Sequence, residues 1–164
     1  MTKKHSKLIL IFIMINSEDF LPDGLTVDDM IQASEILEKA GIAGIEMSGG
    51  TFLSGKNYPS RQGRPVPGEP EAYYEDAAKR YKKKVKTPLM LVGGLRTIEA
   101  AEGLIADGVA DYIAMCRPFI REPGLVNRWK SGDRRPALCV SDSGCFKPGF
   151  EGKGVNCVLL FTRS

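Results

Sequence analysis

Two short segments carry the residues best suited to bind an anion. Gly93-Gly94 follows the apolar run Pro88 to Val92, and Cys116-Arg117 follows a second apolar run, Tyr112 to Met115. Glycines let a phosphate approach backbone N–H groups because no side chain stands in the way. An arginine adds a permanently charged fork whose donors match phosphate oxygens. The two segments therefore predict phosphate binding, although they are equally typical of a tight turn and a surface cation.

A strand–helix–strand unit is predicted to bring these segments together. Both apolar runs are typical of strands buried in a parallel sheet. Thr97 can cap a helix that begins at Ile98, and Gly108 ends it. Strands joined in this way pair in parallel, so their carboxyl ends, where ligands bind in such sheets, lie side by side. The predicted core stripe of the helix consists of Ile98, Ala101, Leu104 and Ile105.

A further βα unit is predicted at the amino end of the chain. It begins with a buried strand over Leu8 to Ile15 and continues with a helix from about Val27 to Ala40. Thr26 and Asp29 have the spacing of a capping box at the start of this helix. Its apolar face is predicted to consist of Val27, Met30, Ile31, Ser34 and Leu37.

The next unit has a short strand and a long loop. The strand, Ala43 to Met47, ends in Ser48-Gly49-Gly50, and residues 51–70 form a loop of a length that is usually functional or disordered. A helix over Glu71 to Lys84 is predicted to pack through Tyr73, Ala77 and Tyr81. After the second anion-binding segment, the sequence predicts a last helix, Gly124 to Lys130, and a loop-rich tail over 133–164.

The stretch TPLMLVGGLRTIEAAEGLIADGVADYIAMCRPFIREPGLVNRWKSGD resembles the last two βα units of the old yellow enzyme family, also called the NADH:flavin oxidoreductase family. The resemblance extends upstream through NSEDFLPDGLTVDDMIQASEILEKAGIAGIEMSGGT. It implies an α/β fold that is a partial (β/α)8 TIM barrel. A complete barrel needs about 250 residues, so the 164 residues here correspond to about four βα units, the carboxyl-terminal half. We expect a single domain over 1–164, with barrel units over about 8–132.

The resemblance also implies a cofactor, FMN, and residues that hold it. Gly93, Gly94, Cys116 and Arg117 would bind the FMN phosphate, and Ser48 and Gly49 would lie near the flavin, although Ser48 is equally expected to cap its strand. In the intact relative, NAD(P)H reduces the flavin, which passes hydride to a small-molecule substrate such as an activated alkene.

Two departures from the family pattern bear on activity. The family's substrate-anchoring His/Asn pair belongs to the first half of the barrel and is not part of this sequence. The family also has a basic residue two positions before the residue that corresponds to Asn16, and that position is Met14 here. We therefore assign no catalytic residue and expect FMN to bind weakly or not at all to the isolated chain. The alternative prediction is a non-catalytic half-barrel, which forms a homo-oligomer or pairs with a complementary amino-terminal half. Another phosphorylated ligand is a third possibility.

The charge and the residue composition limit which binding partners and which cell compartment we expect. The net charge of +3 does not favour nucleic acid, and the basic run Lys79 to Lys86 is typical of a solvated helix end. The run Leu8 to Ile15 is too short for a membrane span, although with Lys3, Lys4 and Lys7 it has some likeness to a secretory signal. The βα pattern favours reduced thiols and a cytoplasmic location. His5, the single histidine, is predicted to be solvated.

The spacing of three cysteines leaves an iron–sulfur cluster open as an alternative. Some relatives carry an iron–sulfur cluster after the last barrel helix, and the spacing of Cys139, Cys145 and Cys157 is similar to that pattern. Asp142 stands where another ligand is expected. Since clusters normally require four thiolates, plain reduced thiols are the favoured interpretation and no metal ligand is assigned.

Overall fold

The computed structural model describes residues 9–63 and 71–160 of the chain. Strands and helices alternate through the first two thirds of the sequence. The strands are β1 (Phe12–Asn16), β2 (Gly44–Ser48), β3 (Leu89–Val92) and β4 (Tyr112–Ala114). The helices are α1 (Val27–Lys39), α2 (Glu75–Lys82), α3 (Ile98–Ala106), α4 (Arg117–Arg121), α5 (Leu125–Lys130) and α6 (Lys147–Phe150).

The four strands form one parallel sheet in sequence order, β1-β2-β3-β4. In one register row Ile15 lies opposite Met47, Met47 opposite Leu91, and Leu91 opposite Ile113. The carboxyl ends of all four strands therefore lie at the same end of the sheet. The predicted arrangement of parallel strands with intervening helices is confirmed.

The two faces of this sheet have different environments. Ile45, Met47, Leu89 and Leu91 are fully buried and belong to the core cluster that includes Met30 of α1, Tyr81 of α2 and Leu104 of α3. Because side chains alternate along a strand, the residues between them point to the other side. We call this second side the open face, and its members include Phe12, Met14, Glu46, Met90 and Tyr112.

Helix α1 forms as its local sequence predicts. The Thr26 side chain accepts a hydrogen bond from the Asp29 amide, and the Asp29 carboxylate accepts one from the Thr26 amide, so the predicted capping box is confirmed. Of the predicted apolar face, Met30, Ile31 and Ser34 are buried. The buried Ser34 hydroxyl donates to the Met30 carbonyl at 2.8 Å, which satisfies it inside the core.

The prediction of a buried strand over Leu8 to Ile15 is wrong in extent and in burial. The strand begins at Phe12, and the preceding apolar residues Ile9, Leu10 and Ile11 are exposed. The physical reason is position: β1 is an edge strand, and its open face carries no second layer. Leu8, His5 and the lysines before them lie outside the described residues.

Three helix predictions also need correction. The helix predicted over Glu71 to Lys84 is shorter, 75–82, so Tyr73 precedes it and packs elsewhere. Ile105 of the predicted α3 stripe is exposed, since the sheet ends at β4 beneath it. The last helix begins at Leu125, and α4 lies before it where only a strand end was predicted. Pro118 at the first turn of α4 is compatible with a helix start.

The segment that leads into β3 is fixed by hydrogen bonds from side chains of α1 and α2. The Tyr81 hydroxyl is buried and donates to the Thr87 carbonyl at 2.8 Å. The Glu38 carboxylate accepts from the Thr87 amide and the Lys86 amide, each at 2.6 Å. These contacts attach the start of β3 to α1 and α2.

We expect Tyr81→Phe to lower the free energy of unfolding by about 1 kcal/mol, because the Thr87 carbonyl loses its buried donor. Urea denaturation measures this change. Tyr112→Phe removes the hydroxyl of an exposed tyrosine and is the matched control, for which no measurable change is expected. Equal effects of the two substitutions would contradict the assigned role of the Tyr81 hydroxyl.

The Glu38 contacts predict a pH dependence of stability. The Thr87 amide, followed by weaker contributions from Lys86, lowers the pKa of Glu38 from its ordinary value of 4.5. A lowered folded-state pKa stabilises the protein above pH 4.5, and this contribution is lost as pH falls through the folded-state value. Glu38→Gln should therefore destabilise the protein at pH 7, with a gap to wild type that narrows below pH 4.5. A constant gap between pH 7 and pH 3 in urea melts would argue against it.

Candidate functional site

The ends of β3 and β4 surround one cavity of about 100 Å³. Gly93 and Gly94 line it from the end of β3, and Cys116 and Arg117 line it from the end of β4. The parallel pairing of the two strands places these segments side by side. The structure thus brings the four residues of the predicted phosphate site together, and their role in binding stays a prediction.

The two glycines adopt backbone conformations that other residues rarely take. Gly93 has φ +116° and Gly94 has φ +79°. A Cβ at Gly94 would lie 2.5 Å from the Tyr73 ring, and one at Gly93 would lie 2.8 Å from the Tyr74 ring. Ring packing therefore requires glycine here irrespective of any ligand.

Arg61, Tyr73 and Tyr74, from the segment between β2 and α2, lie over these strand ends. The Arg61 guanidinium lies 4.1 Å from the centroid of the Tyr73 ring and also contacts Phe20 and Tyr74. The Tyr73 amide donates to the Gly93 carbonyl at 3.2 Å. The buried Tyr74 hydroxyl donates to the Gly49 carbonyl at 2.8 Å, and burial raises the pKa of Tyr74. Cation–aromatic stacking connects Arg61 to the two tyrosines, and one hydrogen bond attaches Tyr73 to the glycine pair while another attaches Tyr74 to the end of β2.

The Arg117 guanidinium contacts loops on both sides of the cavity. Its Nη1 donates to the Arg61 carbonyl at 2.9 Å, to the Ser143 hydroxyl at 3.2 Å and to the Ser141 carbonyl at 3.4 Å. All three acceptors are neutral oxygens. Arg117 therefore connects the long loop and the carboxyl-terminal tail to the end of β4.

A second guanidinium, that of Arg96, also lines the cavity and is only 5% exposed. Its Nη1 donates to the Leu95 carbonyl at 2.6 Å, and its Nη2 donates to the Ser141 hydroxyl. Its Nε is buried and has no hydrogen-bond partner among the residues that the structure describes. Burial lowers the pKa of Arg96, and the positive charge of Arg117 acts in the same direction. Two guanidiniums, one with an unsatisfied donor, make this end of the sheet electropositive.

The other two predicted site residues lie at the next strand end and do not line this cavity. The Ser48 hydroxyl donates to the Asn16 side-chain oxygen at 3.1 Å, and the Asn16 amide group donates to the Gly50 carbonyl at 3.0 Å. A Cβ at Gly49 would lie 2.6 Å from the Tyr74 ring. Ser48 therefore makes the strand-end contact that was its alternative interpretation, and its placement near a flavin stays a prediction.

Sequence reasoning missed Arg61, Tyr73 and Arg96. The signal available for Arg96 was its position two residues after the glycine pair, where a cation reaches the same strand end. No local signal identifies Arg61 or Tyr73, because they come from a loop about 20 to 30 residues upstream of the glycines.

The four cysteines are free thiols. Cys145 is buried, and burial raises its pKa, which disfavours the thiolate that binds metals. Arg121 donates to the buried Cys157 sulfur at 3.5 Å. Within residues 9–63 and 71–160, no group of three histidine, cysteine or acidic side chains is arranged to hold a metal ion.

Among the helices in the described part of the chain, none is long and apolar enough to cross a membrane.

Comparison with known proteins gives a consistent family assignment. A model described as the NADH:flavin oxidoreductase / NADH oxidase family matches residues 3–135. The chain is 24% identical over 170 residues to the 4,4'-dithiodibutanoate disulfide reductase of Rhodococcus erythropolis, covering 88% of this chain and 41% of that protein. It is 29% identical over 136 residues to an NADH oxidase of Thermoanaerobacter brockii, covering 79% of this chain and 20% of the oxidase. The chain thus spans between a fifth and two fifths of the length of these relatives.

Solved structures establish the fold. A 2-naphthoyl-CoA reductase in complex with 2-naphthoyl-CoA superposes with a TM-score of 0.69 at 23% identity, over 87% of this chain and 21% of the reductase. An old yellow enzyme homologue from Zymomonas mobilis superposes with a TM-score of 0.54 at 19% identity, over 93% of this chain and 37% of the homologue. The predicted partial (β/α)8 barrel with four βα units is confirmed.

The glycine geometry gives a matched pair of substitutions. Gly94→Ala places a methyl group at positive φ and against the Tyr73 ring, so we expect a loss of about 1–3 kcal/mol in the free energy of unfolding. Gly103→Ala lies within α3, where a Cβ meets no atom within 4 Å, and should stabilise the protein by roughly 0.5–1 kcal/mol. Urea denaturation of both variants measures the difference. A neutral Gly94→Ala would contradict the packing of Tyr73 on this glycine.

Proposed function

The chain belongs to the NADH:flavin oxidoreductase / NADH oxidase family, and from that premise we propose that it is half of an FMN-binding barrel of the old yellow enzyme type. In this proposal the ends of β3 and β4 hold the phosphate of FMN. The observation that carries it is the convergence of Gly93, Gly94, Arg96 and Arg117 on one cavity. Each of these residues supplies a donor or a positive charge and none supplies a carboxylate.

The residues present fit a phosphate group. The glycines at the end of β3 have no side chains to obstruct their amides, and the buried Arg96 Nε has an unused donor. The Arg117 fork can exchange neutral acceptors for phosphate oxygens, with which charge-assisted hydrogen bonds are roughly twice as strong. The Tyr73 ring lies against Gly94 and lines the same cavity, so it narrows the space that a phosphate would enter. This crowding favours weak binding by the isolated chain.

The chain's own contribution is binding and orientation. FMN supplies hydride transfer, from NAD(P)H to a small-molecule substrate such as an activated alkene in the intact enzyme. Gly93, Gly94, Cys116 and Arg117 would hold its phosphate, with Ser48 and Gly49 closer to the flavin. We assign no catalytic residue to this chain, since Met14 stands where the family has a cation beside the flavin. The free thiols are compatible with a cytoplasmic location.

A second candidate function, a non-catalytic half-barrel subunit, is favoured by a different observation. Phe12, Met14 and Tyr112 are 53%, 64% and 59% exposed, so the open face presents apolar side chains to water. The outer edges of β1 and β4 also lack a neighbouring strand within the described sheet. Pairing with another half-barrel would bury this surface and complete the barrel.

Titration with inorganic phosphate, riboflavin and FMN, followed by ¹⁵N NMR, tests the phosphate site. We expect phosphate and FMN to shift the Gly93 and Gly94 amide signals, and riboflavin, which lacks the phosphate, to bind at least tenfold more weakly than FMN. Arg117→Gln should reduce the difference between FMN and riboflavin, because it removes the charged fork and leaves the glycine amides and Arg96. Arg80→Gln, on the outer surface of α2, is the control and should leave it unchanged.

Equal affinity for FMN and riboflavin, or phosphate-induced shifts at other residues only, would contradict this proposal. Arg117 also contacts Arg61 and Ser143, so the ¹⁵N spectrum of the variant must retain wild-type dispersion for its result to count. Arg117→Lys keeps the charge without the fork and should give an intermediate preference for FMN.

A further inference from the structure

Three cysteines lie together in the carboxyl-terminal tail. Cys139, Cys145 and Cys157 line one small cavity of about 10 Å³, roughly the space that a single water molecule needs. All three are free thiols, of which Cys145 and Cys157 are buried and Cys139 is half-buried. The proposed cofactor site uses none of them, so their proximity calls for a different explanation.

This set of side chains does not fit the iron–sulfur cluster that some relatives carry. Such clusters normally require four thiolates, and the position of the fourth is Asp142 here. Asp142 is exposed, and its carboxylate accepts a hydrogen bond from the Gly144 amide at 3.1 Å. The Cys157 sulfur accepts a hydrogen bond from Arg121 at 3.5 Å. Two thiols of the cavity therefore remain for other chemistry.

Cys139 and Cys145 are the first and last residues of a short loop, residues 139–145, which we call the thiol loop. Burial raises the pKa of the Cys145 thiol, and the charge of Cys139 acts in the same direction, so the two sulfurs are near each other. Cys139 is the more exposed of the two, and a reagent in solution therefore reaches it first. A neighbouring pair with one accessible member is suited to thiol–disulfide exchange.

The thiol loop also contacts both guanidiniums of the cavity at the ends of β3 and β4. The Ser141 hydroxyl accepts a hydrogen bond from Arg96 Nη2. The Ser143 hydroxyl and the Ser141 carbonyl accept hydrogen bonds from Arg117 Nη1, at 3.2 and 3.4 Å. A change in the backbone of the thiol loop is therefore transmitted to the two cations that line the other cavity.

The backbone of the thiol loop is strained at the same two serines. Ser141 and Ser143 each have φ +57°, a left-handed conformation that residues other than glycine rarely adopt. Such a conformation persists only where surrounding contacts hold it, and the hydrogen bonds to Arg96 and Arg117 provide them. A disulfide fixes the Cβ atoms of its cysteines within about 4.5 Å of each other. The strained serines are the positions at which the loop adjusts to that constraint.

We propose that Cys139 and Cys145 are a redox-active dithiol, and that their oxidation to a disulfide withdraws the serines of the thiol loop from Arg96 and Arg117. The oxidant is a small-molecule disulfide of the glutathione class. Disulfides that form in a reducing compartment are typically transient and redox-sensing. The consequence for phosphate affinity rests on the proposed function, in which these two guanidiniums lie beside the phosphate of FMN.

The oxidation proceeds in two exchange steps. The Cys139 thiolate attacks one sulfur of the small disulfide, whose S–S bond breaks, and the small thiolate that leaves takes up the proton that Cys139 lost. The Cys145 thiolate then attacks the Cys139 sulfur and releases the second small thiol, which takes up the proton from Cys145. The protein loses two hydrogen atoms, and the oxidant is reduced to two thiols.

Mass spectrometry after treatment of the full chain with oxidised glutathione tests the dithiol. Cleavage on the amino side of Asp142 separates the two cysteines, so a disulfide between them links two peptides. We expect this link in the wild type and its loss in Cys139→Ser. Cys157→Ser is the matched control and should form the link as the wild type does. Circular dichroism of each reduced variant must match that of the wild type.

The contact with the arginines is measured without any ligand. Cys116→Ser serves as the background, because an adduct on this exposed thiol would lie beside Arg117. Oxidation should shift the ¹⁵N signals of the Nε–H groups of Arg96 and Arg117, and should leave that of Arg80, on the outer surface of α2, in place. Inorganic phosphate should then bind roughly fivefold more weakly, because the charge-assisted hydrogen bonds lose their alignment.

The proposal is overturned if no link between residues 139 and 145 forms, or if Cys145 pairs with Cys157 instead. It is also overturned if the link forms and the Arg96 and Arg117 signals do not move. A stoichiometric iron–sulfur cluster assembled on these cysteines from ferrous iron and sulfide would contradict it as well. If the link forms and the arginine signals shift while the reduced wild type binds no phosphate, the proposed function fails and the dithiol stands.

Discussion

The parallel register of the sheet is the constraint on which the rest of the structure depends. Met47 and Leu91 are buried against the helices, and this burial fixes which side of each strand faces the core. A slip of one residue would expose them, so the register is strongly specified. Because Val92 lies opposite Ala114, the segments that begin at Gly93 and Met115 leave the sheet at the same edge. The convergence of the two segments that are predicted to bind an anion is therefore a consequence of core packing.

Packing alone is sufficient to explain the glycine pair. The Tyr73 and Tyr74 rings occupy the space that a Cβ would need, which explains the glycines without a ligand. The buried Nε of Arg96 has no partner among the described residues, and the same holds for the Nε atoms of Arg61 and Arg121. Of these three arginines, Arg96 is the one that lines the cavity beside the glycines, although its sequence position is less conspicuous than theirs.

What the sequence predicts correctly is local, and what it misses depends on distant residues. The capping box of α1 needs only Thr26 and Asp29, and the turn after β3 needs only the two glycines. β1 is exposed because no second layer of secondary structure covers the open face within the described sheet. The sequence of β1 itself carries no signal of this exposure. The contact between Arg96 and Ser141 joins residues far apart in the chain, and the placement of Tyr73 over Gly94 requires the whole second unit to be folded. Strand order was predictable because parallel pairing follows from the βα pattern itself.

The weak binding expected of the cavity and the exposure of the open face have a common physical origin. Val92 and Ala114 line the cavity and, by alternation with Met90 and Tyr112, belong to the open face. Water on that face screens the attraction between the Arg117 guanidinium and a phosphate. At 4 Å the attraction between unit charges is about 1 kcal/mol in water and about 4 kcal/mol at the dielectric typical of a protein surface. A partner that covers the open face would therefore strengthen the anion site without touching it, because it removes the water that weakens the charges there.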